Sequence, residues 1–386
     1  MPKDQKVALL IETSKAFGRG LLLGISRYTH LRGGWSLYVD ERGLDDPIPH
    51  WLKSSDCDGI ILRTRERRLM DDVLKINIPT VCVGEDNPPG TFEVGSDEIA
   101  CALMAADHLL ERNFRHFGYV GIQGYVWSDT RRDAFVEKIQ NAGFQCNVIE
   151  PSRKTRRPPS WEPVRRRLAN WIEFLPKPIG IMCCYDAMAR SVLDVCRELS
   201  ISVPEEVSVI GVDNDKVLCE VSQPPLSSVA HNTKCIGQAA AMMLNSLMDG
   251  SHTDVSVVIP PEGIVTRGST DTLAIEDRDV ATALAFIRRH ACDGIDATEV
   301  VAEVPLSRRT LERRFREQVG CSLLAEISRI RLDRVKQFLM ETDLTLDAIA
   351  RYCGFAHTPY MAANFRKRVG LTPSEFRRKK QSEKYI

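Results

Sequence analysis

The 386-residue chain lacks any long hydrophobic run; its most apolar stretches, such as Val7-Ala8-Leu9-Leu10-Ile11, are the length of a strand. A membrane-spanning helix needs about 20 apolar residues, so a membrane is not among the expected partners. The N-terminus, Met1-Pro2-Lys3-Asp4-Gln5, runs straight into that strand without the small-residue cleavage site of a signal peptide. Twelve cysteines are present, yet no two form a CxxC pair, and Cys183-Cys184 are adjacent rather than spaced for a shared metal. They are expected to be reduced thiols of a cytosolic protein, with neither disulfide nor metal site. GxSxG, P-loop and HExxH motifs are all missing, as is any nucleophile–base pair, so no catalytic residue and no cofactor are expected. Gly18-Arg19-Gly20-Leu21-Leu22-Leu23-Gly24 looks like a dinucleotide fingerprint, but its last glycine comes one residue late.

Net charge is also absent, with 52 Lys and Arg against 52 Asp and Glu. The balance hides a division. From Arg278 to the end there are 21 basic and 14 acidic residues, a net of +7, which leaves −7 for residues 1–277. A basic end suits a polyanion and an acidic remainder suits solubility, although a basic terminal stretch is also what an ordinary solvated face looks like.

What is present is a repeat. Phe315-Arg316-Glu317-Gln318-Val319-Gly320-Cys321-Ser322 returns fifty residues later as Phe365-Arg366-Lys367-Arg368-Val369-Gly370-Leu371-Thr372. Upstream, Leu311, Phe315 and Val319 map onto Met361, Phe365 and Val369, an i, i+4, i+8 stripe on one helix face. A shorter helical pattern precedes each stripe: Ala297, Val300, Val301 and Val304 in one copy, Leu346, Ile349, Ala350 and Cys353 in the other. Tight turns, Pro305-Leu306-Ser307 and Gly354-Phe355-Ala356, join the helices of each pair. This is the layout of two helix-turn-helix units; two copies are too few for a solenoid, while a purely structural bundle remains the alternative. Ser322–Thr342 reads as a long helix connecting them.

Residues 6–248 alternate strand-like runs with amphipathic helices. The strands are expected at Lys6–Glu12, Trp35–Asp40, Asp58–Leu62, Thr80–Gly84, His116–Gly121, Gly180–Cys184 and Val207–Val212. The helices are expected at Gly18–His30, Glu98–Arg112, Thr130–Ala142, Trp161–Leu175, Ala187–Leu199 and Lys234–Met248, with a Pro- and Arg-rich loop over 151–159. Such alternation predicts parallel sheets covered on both faces, here two doubly wound lobes. Ligands of such folds sit beyond the C-terminal strand ends. Those positions hold Glu12 and Lys15, Gln123 and Trp127, Tyr185 and Asp186, and Asp213 and Asn214.

Val207–Asn214 followed by Pro224-Pro225-Leu226-Ser227-Ser228-Val229, with Asp97 and Glu98–Leu110 and with Arg131-Arg132-Asp133-Ala134-Phe135, resembles the LacI-type sugar-binding regulators. Leu306–Phe315 and Gly370–Arg377 resemble the double motif of the AraC-type DNA-binding domain. An effector domain placed before its DNA-binding domain, together with Ser14-Lys15-Ala16-Phe17 and Arg267-Gly268-Ser269-Thr270-Asp271, is similar to the xylose-operon regulators. The resemblance implies an α/β two-lobed, periplasmic-binding-protein-like domain over 1–270, a linker over 271–279 and an all-α domain with two helix-turn-helix units over 280–386. The expected activity is that of a cytoplasmic, nucleoid-associated, xylose-dependent activator, working as a homodimer on duplex DNA and with RNA polymerase. A repressor of the same architecture answering another sugar stays open, as does a doubly wound enzyme with a helical assembly domain.

Arg131 and Asp213 are expected by family position to hold sugar hydroxyls, a guanidinium supplying paired donors and a carboxylate paired acceptors. Asp97 is a third candidate, with Lys15, Tyr185 and Asp186 beside it and Trp127 or Phe17 covering the sugar's apolar face. Asp186 is equally placed to cap the helix that follows it. For DNA, Ser307 is expected to cap the first reading helix, which offers Arg308, Arg309, Thr310, Arg313 and Arg316. The second offers His357, Thr358, Ala363 and Arg366, with three guanidinium groups lost relative to the first. Base reading is therefore assigned mainly to the first helix and phosphate contact to the second. Pro305 stands where the family's turn usually has glycine, which implies a different turn in the first unit.

Overall fold

A computed structural model describes the chain apart from residues 1–3, 45, 55–56, 65–66, 85–86, 89, 152–160, 252–253, 273, 276 and 384–386. The Pro- and Arg-rich loop thus lies outside the described residues from 152 onward. The chain divides into two compact units, Met1–Thr272 and Leu273–Ile386.

The first unit begins with β1 (Gln5–Leu10), α1 (Ala16–Arg32), β2 (Trp35–Val39), α2 (His50–Ser54), β3 (Gly59–Leu62), α3 (Arg67–Leu74), β4 (Thr80–Val83) and β5 (Phe92–Ser96). It continues through α4 (Glu98–Leu110), β6 (His116–Val120), α5 (Val126–Asn141), β7 (Cys146–Ile149), α6 (Trp161–Phe174), β8 (Ile179–Cys183), α7 (Asp186–Glu198) and β9 (Val207–Val212). Then follow α8 (Lys216–Val221), β10 (Ser227–Ala230), α9 (Thr233–Met248), β11 (Ser256–Ile259) and β12 (Gly263–Val265). Two sheets form, in the orders β11-β5-β4-β3-β1-β2 and β12-β10-β9-β8-β6-β7. Their described pairings are parallel except that of β10 with β12. Strands β3, β4, β8, β9 and β10 are buried at every residue, as expected where helices cover both faces of a parallel sheet.

The chain passes between the two sheets after β5, after β10 and between β11 and β12. On its return, α9 packs against α1 at backbone distance. A Cβ at Gly24 would stand 2.1 Å from the Lys234 carbonyl oxygen, and one at Gly237 would stand 2.2 Å from that of Leu21. Gly20 and Gly24, two of the three glycines that look like a dinucleotide fingerprint, therefore serve this helix contact.

The structure departs from the expected series in two respects. Helix α5 begins at Val126 rather than Thr130, which puts Trp127 on its first turn. Strands β5, β7, β10, β11 and β12 and helices α2, α3 and α8 were not expected; they are short, or broken by glycine and polar residues, as in Phe92-Glu93-Val94-Gly95-Ser96.

The second unit contains α10 (Arg278–His290), α11 (Ala297–Ala302), α12 (Arg308–Val319), α13 (Leu323–Glu341), α14 (Leu346–Tyr352), α15 (Thr358–Val369) and α16 (Pro373–Glu383). Two cores form in it. Leu311 and Phe315 anchor one with residues of α10 and α11; Met361 and Phe365 anchor the other with residues of α14, and α13 contributes to both. Residues 311–320 and 361–370 have the same burial class position for position, and Gly320 and Gly370 end their helices at φ 79° and 80°. The repeat in sequence is a repeat in packing. The turns differ, as Pro305 implied: Gly354 takes φ 72°, whereas none of Glu303–Ser307 has positive φ.

Candidate functional site

Four ionisable groups meet where the chain crosses between the lobes. Arg131, buried on α5, donates from Nε to Glu98 at 2.5 Å and from a terminal nitrogen to the Cys184 carbonyl. Its other terminal nitrogen lies 3.0 Å from His231 Nε2. His231, just after β10, faces Asp213 at 3.4 Å through Nε2 and Ser96 Oγ at 2.6 Å through Nδ1. Asp213 and Asn214 follow β9 at φ 109° and 49°, successive non-glycine residues in a region that side chains disfavour. Such strain is characteristic of binding sites, where surrounding structure holds it in place.

Burial alone would depress the His231 imidazole, but the Glu98 charge and hydrogen bonds to Asp213 and Cys101 outweigh it and raise it to about 10. Arg131 can only donate, so its 3.0 Å approach to Nε2 competes with the Asp213 carboxylate at 3.4 Å for that ring nitrogen. Burial likewise opposes the Arg131 charge, yet Glu98 holds its pKa above the ordinary value. Glu98, Cys101 and His231 bring their donor atoms within 4.8 Å of one another, close enough to hold a metal ion, but the Arg131 guanidinium already supplies the cation there. The cluster sets cationic donors against carboxylate acceptors, which suits a polyhydroxylated ligand.

Aromatic rings flank it. Trp127 lies with Arg131 over its face at 4.9 Å and Tyr185 edge-on at 6.0 Å. From the other lobe, Phe17 meets the edge of His231 at 5.2 Å and carries Arg63 over its face at 4.5 Å. Arg131, Asp213, Trp127, Tyr185 and Phe17 are thus brought together, whereas three other candidates are exposed or have their side chains engaged in other bonds. Lys15 is an exposed residue at the start of α1. Asp97 turns its side chain to cap α4, accepting from the Ala100 amide at 2.8 Å. Asp186 is buried, accepting from Ser228 Oγ at 2.6 Å, the Asp215 amide at 2.7 Å and Cys219 Sγ at 3.4 Å. Burial, with Asp213 nearby, raises its carboxyl to about 7. It is the first residue of α7, and the cap position belongs to Tyr185, whose side chain makes no capping bond.

Glu98, His231, Ser96 and Arg63 were not among the nominated residues. Glu12, named for its position after β1, is fully buried; it accepts from Arg63 through one oxygen, and the other has no partner. Arg42 is buried too, with Nε and one terminal nitrogen unpartnered.

In the second unit, Ser307 caps α12 by accepting from the Thr310 amide at 3.3 Å. Arg308, Arg309, Arg313 and Arg316 are exposed along one face, with Glu312 and Glu317 pairing Arg308 and Arg313 at 3.0 Å each. On α15, Ala363 and Arg366 are exposed, His357 precedes the helix without capping it, and the Thr358 hydroxyl donates to Asp347. Tyr360 is 61% exposed in the first turn of α15.

A two-sheet α/β unit and a pair of helix-turn-helix units on one chain invite comparison with known regulators. Residues 106–270 match a periplasmic binding protein-like domain and residues 300–379 a helix-turn-helix domain. The xylose operon regulatory protein of Escherichia coli K12 is 31% identical over 388 residues, spanning 97% of each chain. The chain belongs to the xylose operon regulatory protein family. The family's Haemophilus influenzae member is also 31% identical, over 96% of this chain and 98% of its own. A solved structure described as the xylose-binding transcription activator xylR superposes with a TM-score of 0.83 at 29% identity, covering 97% of this chain and 98% of that one. As a member of the xylose operon regulatory protein family, the chain is a transcription regulator whose DNA-binding domain is the helix-turn-helix unit.

Proposed function

We propose that this protein is a cytoplasmic activator that binds D-xylose between the lobes of its first unit and duplex DNA through α12 and α15. The observation that carries the reading is the Arg131–Glu98–His231–Asp213 cluster at the inter-lobe crossovers, flanked by Trp127 and Phe17. Arg131 and Asp213 offer a donor fork and paired acceptors for adjacent hydroxyls, and an aromatic face covers the sugar's C–H side. Glu12, with one unpartnered buried oxygen, is the sugar contact of the other lobe. Ligand that binds the closed arrangement more tightly shifts the lobes toward it, and the shift is the signal. The protein acts as a homodimer on paired half-sites, recruits RNA polymerase and performs no catalysis. No helix among the described residues is long and apolar enough to cross a membrane.

Calorimetric titration against D-xylose, L-arabinose, D-ribose and D-glucose tests the assignment. Micromolar binding of D-xylose alone is expected, and Arg131→Ala should abolish it while salt-sensitive binding to non-specific DNA persists. Binding of another sugar in its place would keep the regulator and overturn the ligand.

A further inference from the structure

Two elements of matched length join the effector cluster to the carboxyl end of the first unit. Helix α4 starts at Glu98, inside the cluster, and its far end holds Thr270: His108 Nε2 stands 2.8 Å from Thr270 Oγ1, and Arg112 Nε donates to the Thr270 carbonyl at 2.8 Å. Strand β10 runs the other way. His231 follows its last residue, and Ser227, its first, accepts from Thr270 Oγ1 at 2.7 Å. The helical rise from Glu98 to His108 is about 15 Å, and the strand rise from Ser227 to His231 is about 13 Å. The two elements pack on each other, so both cover the same span.

The far end is a continuous hydrogen-bond chain. His108 donates to Thr270, Thr270 to Ser227, and Ser227 to the Arg267 carbonyl at 3.0 Å. Ser269 adds a bond to the Val209 carbonyl at 2.6 Å and receives the Ser227 amide at 2.8 Å. Ser227, Ser269 and Thr270 are completely buried, so breaking one link strands polar groups away from water. At the near end, α4 begins and β10 ends where the chain crosses between lobes, at β5–α4 and β10–α9, where a change in lobe angle is absorbed.

We propose that α4 and β10 are paired struts carrying movement of the Arg131–His231 cluster to Thr270, two residues before the unit ends, and that His108 and Thr270 are positioning residues for the coupling of sugar to DNA. This rests on the reading that the cluster binds the sugar. The test uses the full chain with Thr270→Val, which cannot bridge, and Thr270→Ser, which can. DNA affinity is measured with and without D-xylose, and amide exchange is measured without sugar.

Effector coupling in regulators is of the order of 5–150-fold. In Thr270→Val the ratio of the two DNA affinities should fall to within about twofold of one, with sugar affinity and sugar-free DNA affinity each kept within about threefold; Thr270→Ser should restore the ratio. In the exchange measurement, Thr270→Val should loosen the amides of Cys101 and Ala102 at the near end of α4 and leave β6 and β7 unchanged. A wild-type ratio in Thr270→Val, or loosening confined to Ser227 and Ser269–Thr270, overturns the struts. If sugar leaves wild-type DNA binding unaltered, the effector reading has failed instead, and the exchange result alone decides the coupling.

Discussion

Arg131 and His231, a hundred positions apart in sequence, bring nitrogen atoms to within 3.0 Å of each other, and each faces a carboxylate of its own. Glu98 holds Arg131 at 2.5 Å and Asp213 faces His231 at 3.4 Å. The pairing makes each acid a structural requirement as well as a candidate ligand contact.

Glu98→Gln should therefore destabilise the first unit markedly. The substitution keeps shape and removes charge, leaving a buried guanidinium without its carboxylate, a loss of about 3–5 kcal/mol when one partner of a buried pair is deleted. The measurement is the urea midpoint of the first unit's unfolding transition in the full chain. An unchanged midpoint would mean that Asp213 alone suffices to balance Arg131.

Stability should also fall with rising pH through His231. Its folded value of about 10 lies above the ordinary 6.5, so the folded state holds the proton more tightly than the unfolded chain does. The contribution is fully present below about pH 6.5 and is lost as pH rises toward about 10. Urea midpoints taken across that window should decline, and His231→Gln should flatten the decline. A midpoint that climbed with pH in the wild-type chain would reverse the sign and leave the ring neutral in the fold.

The same cluster marks where the sequence is readable and where it is not. Arg131 and Asp213 were reachable because family position and the end of β9 both point to them. Ser96 and His231 lie at the ends of β5 and β10, and the rule that ligands sit beyond strand ends would have nominated both. Those strands escaped notice because Phe92–Ser96 contains a glutamate and a glycine, and Ser227–Ala230 opens on two serines. Their strand character comes from neighbours in the sheet rather than from intrinsic preference. Asp97 shows the opposite failure: its carboxylate caps α4, and the next residue, Glu98, points into the cluster. The helix-turn-helix pairs were legible because their cores rest on local helical periodicity.

Glu12 tests the other lobe. Its unpartnered oxygen is buried, and a buried acceptor without a donor is costly unless a ligand supplies one. Glu12→Gln should weaken sugar binding by roughly tenfold or more, the value of a hydrogen bond to a charged group. Calorimetry measures the loss, and a variant with wild-type sugar affinity would remove Glu12 from the contact set.

The two reading helices should respond differently to loss of arginine. Arg313 is exposed on α12 beside Arg309 and Arg316, so, on the proposed reading, Arg313→Ala should relax preference at one base pair by about 1–3 kcal/mol. Arg366 on α15 has Ala363 rather than arginine one turn before it. Arg366→Ala should weaken binding to all sequences alike and lower the salt dependence. Tyr360, exposed on the same helix, should behave like Arg313 if it meets a base edge. Affinities for a set of single-base operator variants separate the outcomes, and an even loss for both arginine variants would erase the division of labour.

Gly320 and Gly354 share a left-handed backbone but not a neighbourhood. At Gly320, φ 79°, a Cβ would meet nothing within 4 Å; at Gly354, φ 72°, it would stand 2.8 Å from the Cys292 carbonyl oxygen and 2.9 Å from that of Ala291. The Ala291 carbonyl also accepts from Arg331 Nε at 2.6 Å, and Arg331 lies 5.8 Å over the Phe355 ring. Pushing that carbonyl aside would loosen the brace that α13 gives to the second helix-turn-helix. Gly320→Ala should cost about 1–2 kcal/mol, the backbone penalty alone. Gly354→Ala should cost about 1–3 kcal/mol more, as overpacking does. Thermal unfolding of the second unit in the full chain compares the two directly. Equal losses would mean that the carbonyls give way freely and that the close approach at Gly354 does not hold the turn.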